Sequence, residues 1–222
     1  MIVLHHCHET RSMRVLWLLN ELGADFELRV HPFDKSLREK AYLNLSPAGR
    51  VPALEFDGEV LFESGAILQV LCARHPENRL GRLQGDPEWG EWLVWLHFAE
   101  TLSQHTAALT QQHIALYEDH MRSPTVMKLE AARIGKCFDA IETRLGSTPA
   151  QRDYLLDSGF SVADIAVGQA VYMALHFVRP DKWPKLAAWY ERITSRPPFI
   201  AALPSDDAER LYRQEFYEAW SG

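Results

Sequence analysis

The 222-residue chain lacks the features that mark several classes of protein. Its three cysteines, Cys7, Cys72 and Cys137, are odd in number and include no CxxC pair. A disulfide framework and a dithiol redox motif are therefore not expected; each thiol is expected to be a small buried apolar residue in a reducing, cytoplasmic setting. No apolar run approaches the roughly 20 residues that span a bilayer. The opening, MIVLHHCHETR, has no basic leader followed by an apolar stretch, so no secretory signal is expected. Lys and Arg form no long runs and the formal net charge is -7, which argues against a nucleic-acid surface. The ten histidines are scattered, with neither His-Glu-x-x-His nor another ligand spacing, so no metal site is expected.

What is present is an ordinary globular composition, 47% hydrophobic and 24% charged, long enough for one large domain or two small ones. The first eighty residues alternate strand and helix signals. Ile2 to His6 reads as a strand, and Ser12 to Leu22 has helical spacing closed by Gly23. Phe26 to Val30 reads as a second strand, and Asp34 to Tyr42 as a short irregular helix. Val51 to Phe56 and Glu59 to Phe62 are apolar runs joined by Asp57-Gly58, a strong hairpin signal. Ser64 to Arg74 returns to helical spacing. The order is βαβαββα.

After His75-Pro76 the texture changes to a linker with two prolines and two glycines up to Glu88. Beyond it every pattern is helical. Trp89, Trp92, Trp95 and Phe98 recur at three-residue steps, and further helices are expected at Pro124 to Leu145, Ser161 to Leu175 and Lys185 to Ser195. Ser161 and Asp164 form an acidic variant of the capping box, a folding feature.

The segment Ser46-Pro-Ala-Gly-Arg-Val-Pro-Ala-Leu and the later Phe62-Glu-Ser-Gly-Ala-Ile carry the chemistry. Proline costs a strand one ladder donor, so Pro52 must serve another end, such as a cis bond that turns the Val51 backbone outward. Ser64 can cap the helix that follows. The unpaired amides and positive dipole end there invite a carboxylate. Exposed backbone at Val51 and an anion pocket at Ser64 suit an extended peptide with a free α-carboxylate.

In that order and spacing, SPAGRVPAL, DG and FESGAI resemble the glutathione-binding half of the cytosolic glutathione transferases. LHHCHETRSMRVLWLLNELG is similar to their first strand, catalytic loop and first helix. DSGFSVADIAVGQAV resembles their buried capping box, and WLVWLHFAE their first helix after the linker. The resemblance covers nearly the whole chain and implies a thioredoxin-like domain at 1–78, a linker at 79–87 and an all-helical domain at 88–222 with an electrophile pocket. It implies that Val51, before the cis Pro52, pairs its backbone with the cysteinyl part of glutathione. Glu63 and Ser64 would bind the γ-glutamyl group, and Arg50 the glycyl carboxylate. A homodimer is also implied, with glutathione as co-substrate and no metal.

The catalytic loop departs from the family pattern. His6 stands at the tyrosine position, and Glu9 or Thr10 where serine or cysteine is common. A carboxylate at Glu9 would raise the thiol pKa, the wrong direction. Thr10, Ser12 and His6 are the candidate donors to the sulfur, in that order, and Thr10 and Ser12 also suit a cap. Arg11 and Arg14 would add positive potential. His97, His105, His113, Tyr117 and Phe177 are candidate walls of the second-substrate site. The expected function is conjugation of the glutathione thiolate to small hydrophobic electrophiles. Alternatives are glutathione-dependent peroxide or disulfide reduction, with Cys7 as a thiol, or a non-catalytic binding protein.

Overall fold

The computed structural model describes residues 1–147 and 152–218. The chain resolves into two compact units: Met1–Trp89 with Thr194–Leu211, and Gly90–Ile193 with the chain from Tyr212 onward.

The first unit contains β1 (Ile2–His6), α1 (Met13–Leu22), β2 (Phe26–Val30), a 3-10 turn (Lys35–Arg38), α2 (Lys40–Leu43), β3 (Ala53–Phe56), β4 (Glu59–Phe62) and α3 (Ser64–Arg74). This is the sequence order expected, except that the third strand starts at Ala53, past Pro52, which has no N–H for a ladder. The four strands run β2-β1-β3-β4, with β1 parallel to β2 and antiparallel to β3. β1 is central and buried at every position, His5 and His6 included, whereas β2 and β4 form the edges. That burial brings the end of β1 and the loop after it into a dry environment. α1 buries Val15, Leu16, Leu18 and Leu19 and stops at Gly23, whose φ of 60° lets its amide return to the Asn20 carbonyl. Asp57 and Gly58 adopt φ of 52° and 84°, the pair of positive angles a two-residue hairpin turn requires.

The second unit contains α4 (Trp89–Thr110), α5 (Pro124–Leu145), α6 (Val162–Ala174) and α7 (Pro184–Thr194), with α4 continuing past the aromatic run that ends at Phe98 because Leu102, Thr106 and Leu109 continue its buried stripe. α6 is buried almost all round. Its start is fixed by Asp164, whose carboxylate accepts from the amides of Ser161 (2.9 Å) and Leu155 (3.0 Å) and from Trp189 Nε1 (2.9 Å). One buried side chain thus joins the helix start, the preceding loop and α7. Burial pushes the Asp164 carboxyl up from its ordinary range, against the pull of these donors.

Residues 194–211 pack within the first unit, although in sequence they come after the helices of the second. Three side chains of α1 explain this. Glu21 holds Arg196 in a two-pronged ion pair at 2.7 Å for each oxygen, and Trp17 meets Phe199 of α8 (Pro197–Ile200) edge-on at 4.8 Å. Asn20 donates to the Pro198 carbonyl at 3.2 Å. Partners this far apart in sequence leave no periodic signal.

Candidate active site

The loop between β1 and α1 gathers three of the expected residues into one hydrogen-bonded chain. Ser12 Oγ lies 2.7 Å from His6 Nδ1 and 2.8 Å from Thr10 Oγ1. Thr10 Oγ1 donates to the Cys7 carbonyl at 2.8 Å, and Ser12 Oγ accepts from the Cys7 amide at 3.2 Å. Ser12 is fully buried, His6 is 1% exposed and Thr10 9% exposed, so Thr10 is the member nearest solvent. Ser12 occupies the position before α1, but its hydroxyl turns back into the loop and does not cap the helix. Burial and the neighbouring His8 pull the His6 pKa down to about 3, which keeps the ring neutral. Glu9 is buried with φ of 54°, a left-handed conformation uncommon for a residue with a side chain and frequent at functional sites.

Cys7 lies beneath this loop, packed with Leu37, Tyr42, Leu45 and Val51. Burial, reinforced by Asp34, pushes its thiol up to about 12, so it is a structural apolar residue and not a thiolate. Cys72 and Cys137 are likewise free, buried and raised, to about 12 and about 11.

The same apolar cluster seats the segment before β3. Val51–Pro52 is cis. Ser46 Oγ accepts from the Arg50 amide (3.4 Å) and Tyr42 donates to the Arg50 carbonyl (3.1 Å), so this turn is tied to α2. Gly49 makes the path possible: its φ is 61°, and a Cβ there would sit 2.8 Å from the Leu37 carbonyl oxygen. The Arg50 side chain is exposed, and among the described residues no carboxylate pairs with it.

At the head of α3 the expected cap is shifted by one residue. Glu63 holds the cap position, with no side-chain bond to the helix, and Ser64 is the first helical residue. Glu63 has φ of 72°, a second strained residue, and its side chain is exposed. Behind Ser64 lies a side chain expected only near the sulfur: Arg14 of α1, fully buried, directs Nη1 to Ser64 Oγ at 3.3 Å. A buried guanidinium, a hydroxyl and the amide end of an eleven-residue helix converge there, a setting matched to a carboxylate. The 50-residue separation of Arg14 and Ser64 hides this pairing from any local motif.

The expected second-substrate residues fall in different surroundings within the second unit. His113 stacks on Phe177 at 5.5 Å and meets Tyr217 at 5.3 Å. With Arg122, Met127 and Gln214, His113 and Tyr217 line a cavity of about 270 Å³. His105 instead pairs with Glu130 at 2.6 Å, and Tyr117 is exposed. Among the described residues no cluster of His, Cys, Asp or Glu could hold a metal ion.

The four-stranded sheet, the cis proline before β3 and the helix that follows β4 define a thioredoxin-like unit, and the comparisons with known proteins agree with that fold. The model for the glutathione S-transferase N-terminal domain matches residues 4–79, and that for the C-terminal domain matches residues 111–192. Glutathione S-transferase 3 of Zea mays is 30% identical over 209 residues, 86% of this chain and 89% of the relative. A glutathione transferase from Methylococcus capsulatus superposes with a TM-score of 0.75 at 28% identity, covering 91% of this chain and 97% of the other. A sphingomonad glutathione S-transferase complexed with glutathione gives 0.73 at 26%, covering 90% and 96%. The chain belongs to the glutathione transferase family. In the described residues no helix is long and apolar enough to cross a membrane.

Proposed function

We propose that this chain is a glutathione transferase that binds glutathione in its first unit and conjugates its thiolate to small hydrophobic electrophiles, a detoxification chemistry. The observation that carries the reading is the corner where Arg14 and Ser64 meet at the head of α3 beside Glu63. There the γ-glutamyl carboxylate meets Ser64 and the helix amides, with Arg14 behind them, while Glu63 takes the ammonium. The Val51 backbone pairs with the cysteinyl residue, and the exposed Arg50 reaches the glycyl carboxylate. On this reading the sulfur lies toward the head of α1, where Thr10, the least buried of the hydroxyl chain, donates to it. A donor and the positive helix end stabilise the thiolate, and binding both partners supplies proximity. Within the second unit, the His113–Phe177–Tyr217 cluster supplies aromatic surface of the kind on which a small apolar electrophile packs. A homodimer and a cytoplasmic, reducing setting accompany this reading; three free buried thiols suit the latter.

A second reading, a non-catalytic glutathione-binding protein, is favoured by one observation: the Ser12 and Thr10 hydroxyls already have protein partners. A reductase working through Cys7 has little support, because that thiol is buried and raised. Steady-state turnover with a halogenated nitrobenzene and with an organic peroxide separates these readings. A transferase shows conjugation that falls at least about tenfold in Thr10→Ala while glutathione affinity persists. Turnover lost in Cys7→Ser but kept in Thr10→Ala indicates a reductase, and no turnover with either substrate indicates a binder.

A further inference from the structure

Ser12 Oγ has one proton and three acceptors within reach: His6 Nδ1 at 2.7 Å, Thr10 Oγ1 at 2.8 Å and the Cys7 carbonyl at 3.1 Å. It also accepts from the Cys7 amide. Which way the chain is polarised depends on His6. A neutral imidazole carries one N–H, on Nδ1 or on Nε2, and the hydrogen bonds around it decide which.

With the proton on Nε2, bare Nδ1 takes the Ser12 proton, and Ser12 Oγ becomes an acceptor for Thr10. The chain then runs inward, from Thr10 through Ser12 to His6. With the proton on Nδ1, His6 donates to Ser12, and the two Ser12 lone pairs are filled by His6 and the Cys7 amide. Ser12 must then give its proton to Thr10 or to the Cys7 carbonyl, and Thr10 can no longer give its own to Ser12. The chain runs outward. The Cys7 carbonyl holds the Thr10 proton until a sulfur anion, a stronger acceptor by its charge, replaces it.

His6 Nε2 distinguishes the two arrangements. It is buried and, among the described residues, has no hydrogen-bond partner. An orphaned buried N–H is rarer in folded proteins than an under-satisfied acceptor, so the bare nitrogen belongs on Nε2 and the proton on Nδ1.

We propose that His6 is a positioning residue that works as the Nδ1–H tautomer and points the His6–Ser12–Thr10 chain outward, making the Thr10 hydroxyl available to the glutathione sulfur. The inference rests on the reading of Thr10 as the sulfur's donor. His6 touches neither substrate; it acts through Ser12, and cooperative polarisation along the chain strengthens the last bond.

The test is long-range proton–nitrogen correlation NMR on protein labelled at the histidine ring nitrogens, at neutral pH, with His6 assigned by its disappearance in His6→Asn. It is run beside the thiolate absorbance of bound glutathione in wild type, His6→Phe and His6→Asn. Nδ1 is expected to carry the proton. His6→Phe, which keeps a ring but loses the donor, is expected to raise the bound thiol pKa by about one unit. His6→Asn, which restores an N–H near the Nδ1 position, is expected to recover most of that shift. If His6→Phe does not fold, the tautomer and His6→Asn still decide. A proton on Nε2, or a thiol pKa the same in His6→Phe as in wild type, overturns the proposal while leaving the transferase reading intact. A wild-type protein that leaves the glutathione thiol unshifted overturns both.

Discussion

Ser64 shows how one residue can be legible in part. Its place at the strand-to-helix junction is readable from Phe62-Glu-Ser-Gly-Ala-Ile, and with it the expectation of an anion pocket. The Arg14 guanidinium behind it is not, because the contact is made by tertiary packing of α1 against α3. The left-handed angles of Glu9 and Glu63 are also silent in sequence, since glutamate has no preference for that region and only the surrounding structure imposes it. Charge-assisted hydrogen bonds contribute about 1.5–3 kcal/mol, so Ser64→Ala is expected to weaken glutathione binding by roughly ten- to a hundredfold. Isothermal calorimetry checks this, with the melting temperature measured alongside: an unchanged Kd would remove Ser64 from the site.

The elements were readable wherever periodicity or turn chemistry was strong, as in α1 with its Gly23 stop, the Asp57-Gly58 hairpin and the capped start of α6. The short α8 was not, because four residues beginning Pro-Pro carry no periodic pattern. Two substitutions test how elements hold the site. Gly49→Ala forces a side chain into a left-handed backbone and against the Leu37 carbonyl. It is expected to cost about 1–3 kcal/mol of stability and to weaken glutathione binding, because the displaced turn carries Arg50 and Val51. Urea unfolding and calorimetry on the same preparation measure both. Asp164→Ala leaves the Ser161 and Leu155 amides and Trp189 Nε1 without their buried acceptor. A loss of about 3 kcal/mol or more is expected from the urea midpoint at constant m-value. A loss under about 1 kcal/mol would mean that the loop before α6 repacks.

At the scale of the whole molecule, the buried imidazoles set an acid limit. Burial lowers the folded-state pKa of His6 to about 3, and it also lowers His8, His31 and His113. An unfolded imidazole titrates near pH 6.5. Between that value and the lower folded one, the unfolded chain binds protons that the native state refuses, so stability is complete above about pH 6.5 and declines as the pH falls. His6 alone accounts for a slope of up to about 1.4 kcal/mol per pH unit, and the three partly exposed rings add less. Urea unfolding at pH 7.5 and pH 5 is expected to show this decline, with a shallower slope in His6→Asn. Equal midpoints at the two pH values would contradict it. The family assignment was accessible because its motifs span both units, whereas the hydrogen-bonded chain linking His6, Ser12 and Thr10 was not, because the fold of the loop and not the spacing of its residues joins them.

The central claim is that the first unit binds glutathione and holds it as the thiolate. Ultraviolet thiolate absorbance of glutathione bound to the purified protein, titrated across pH, tests this most directly. A bound thiol titrating at least about one unit below the free value near 8.5 is expected, with Thr10→Ala returning it toward that value. Tight binding with an unshifted thiol, or no binding at all, would contradict the account.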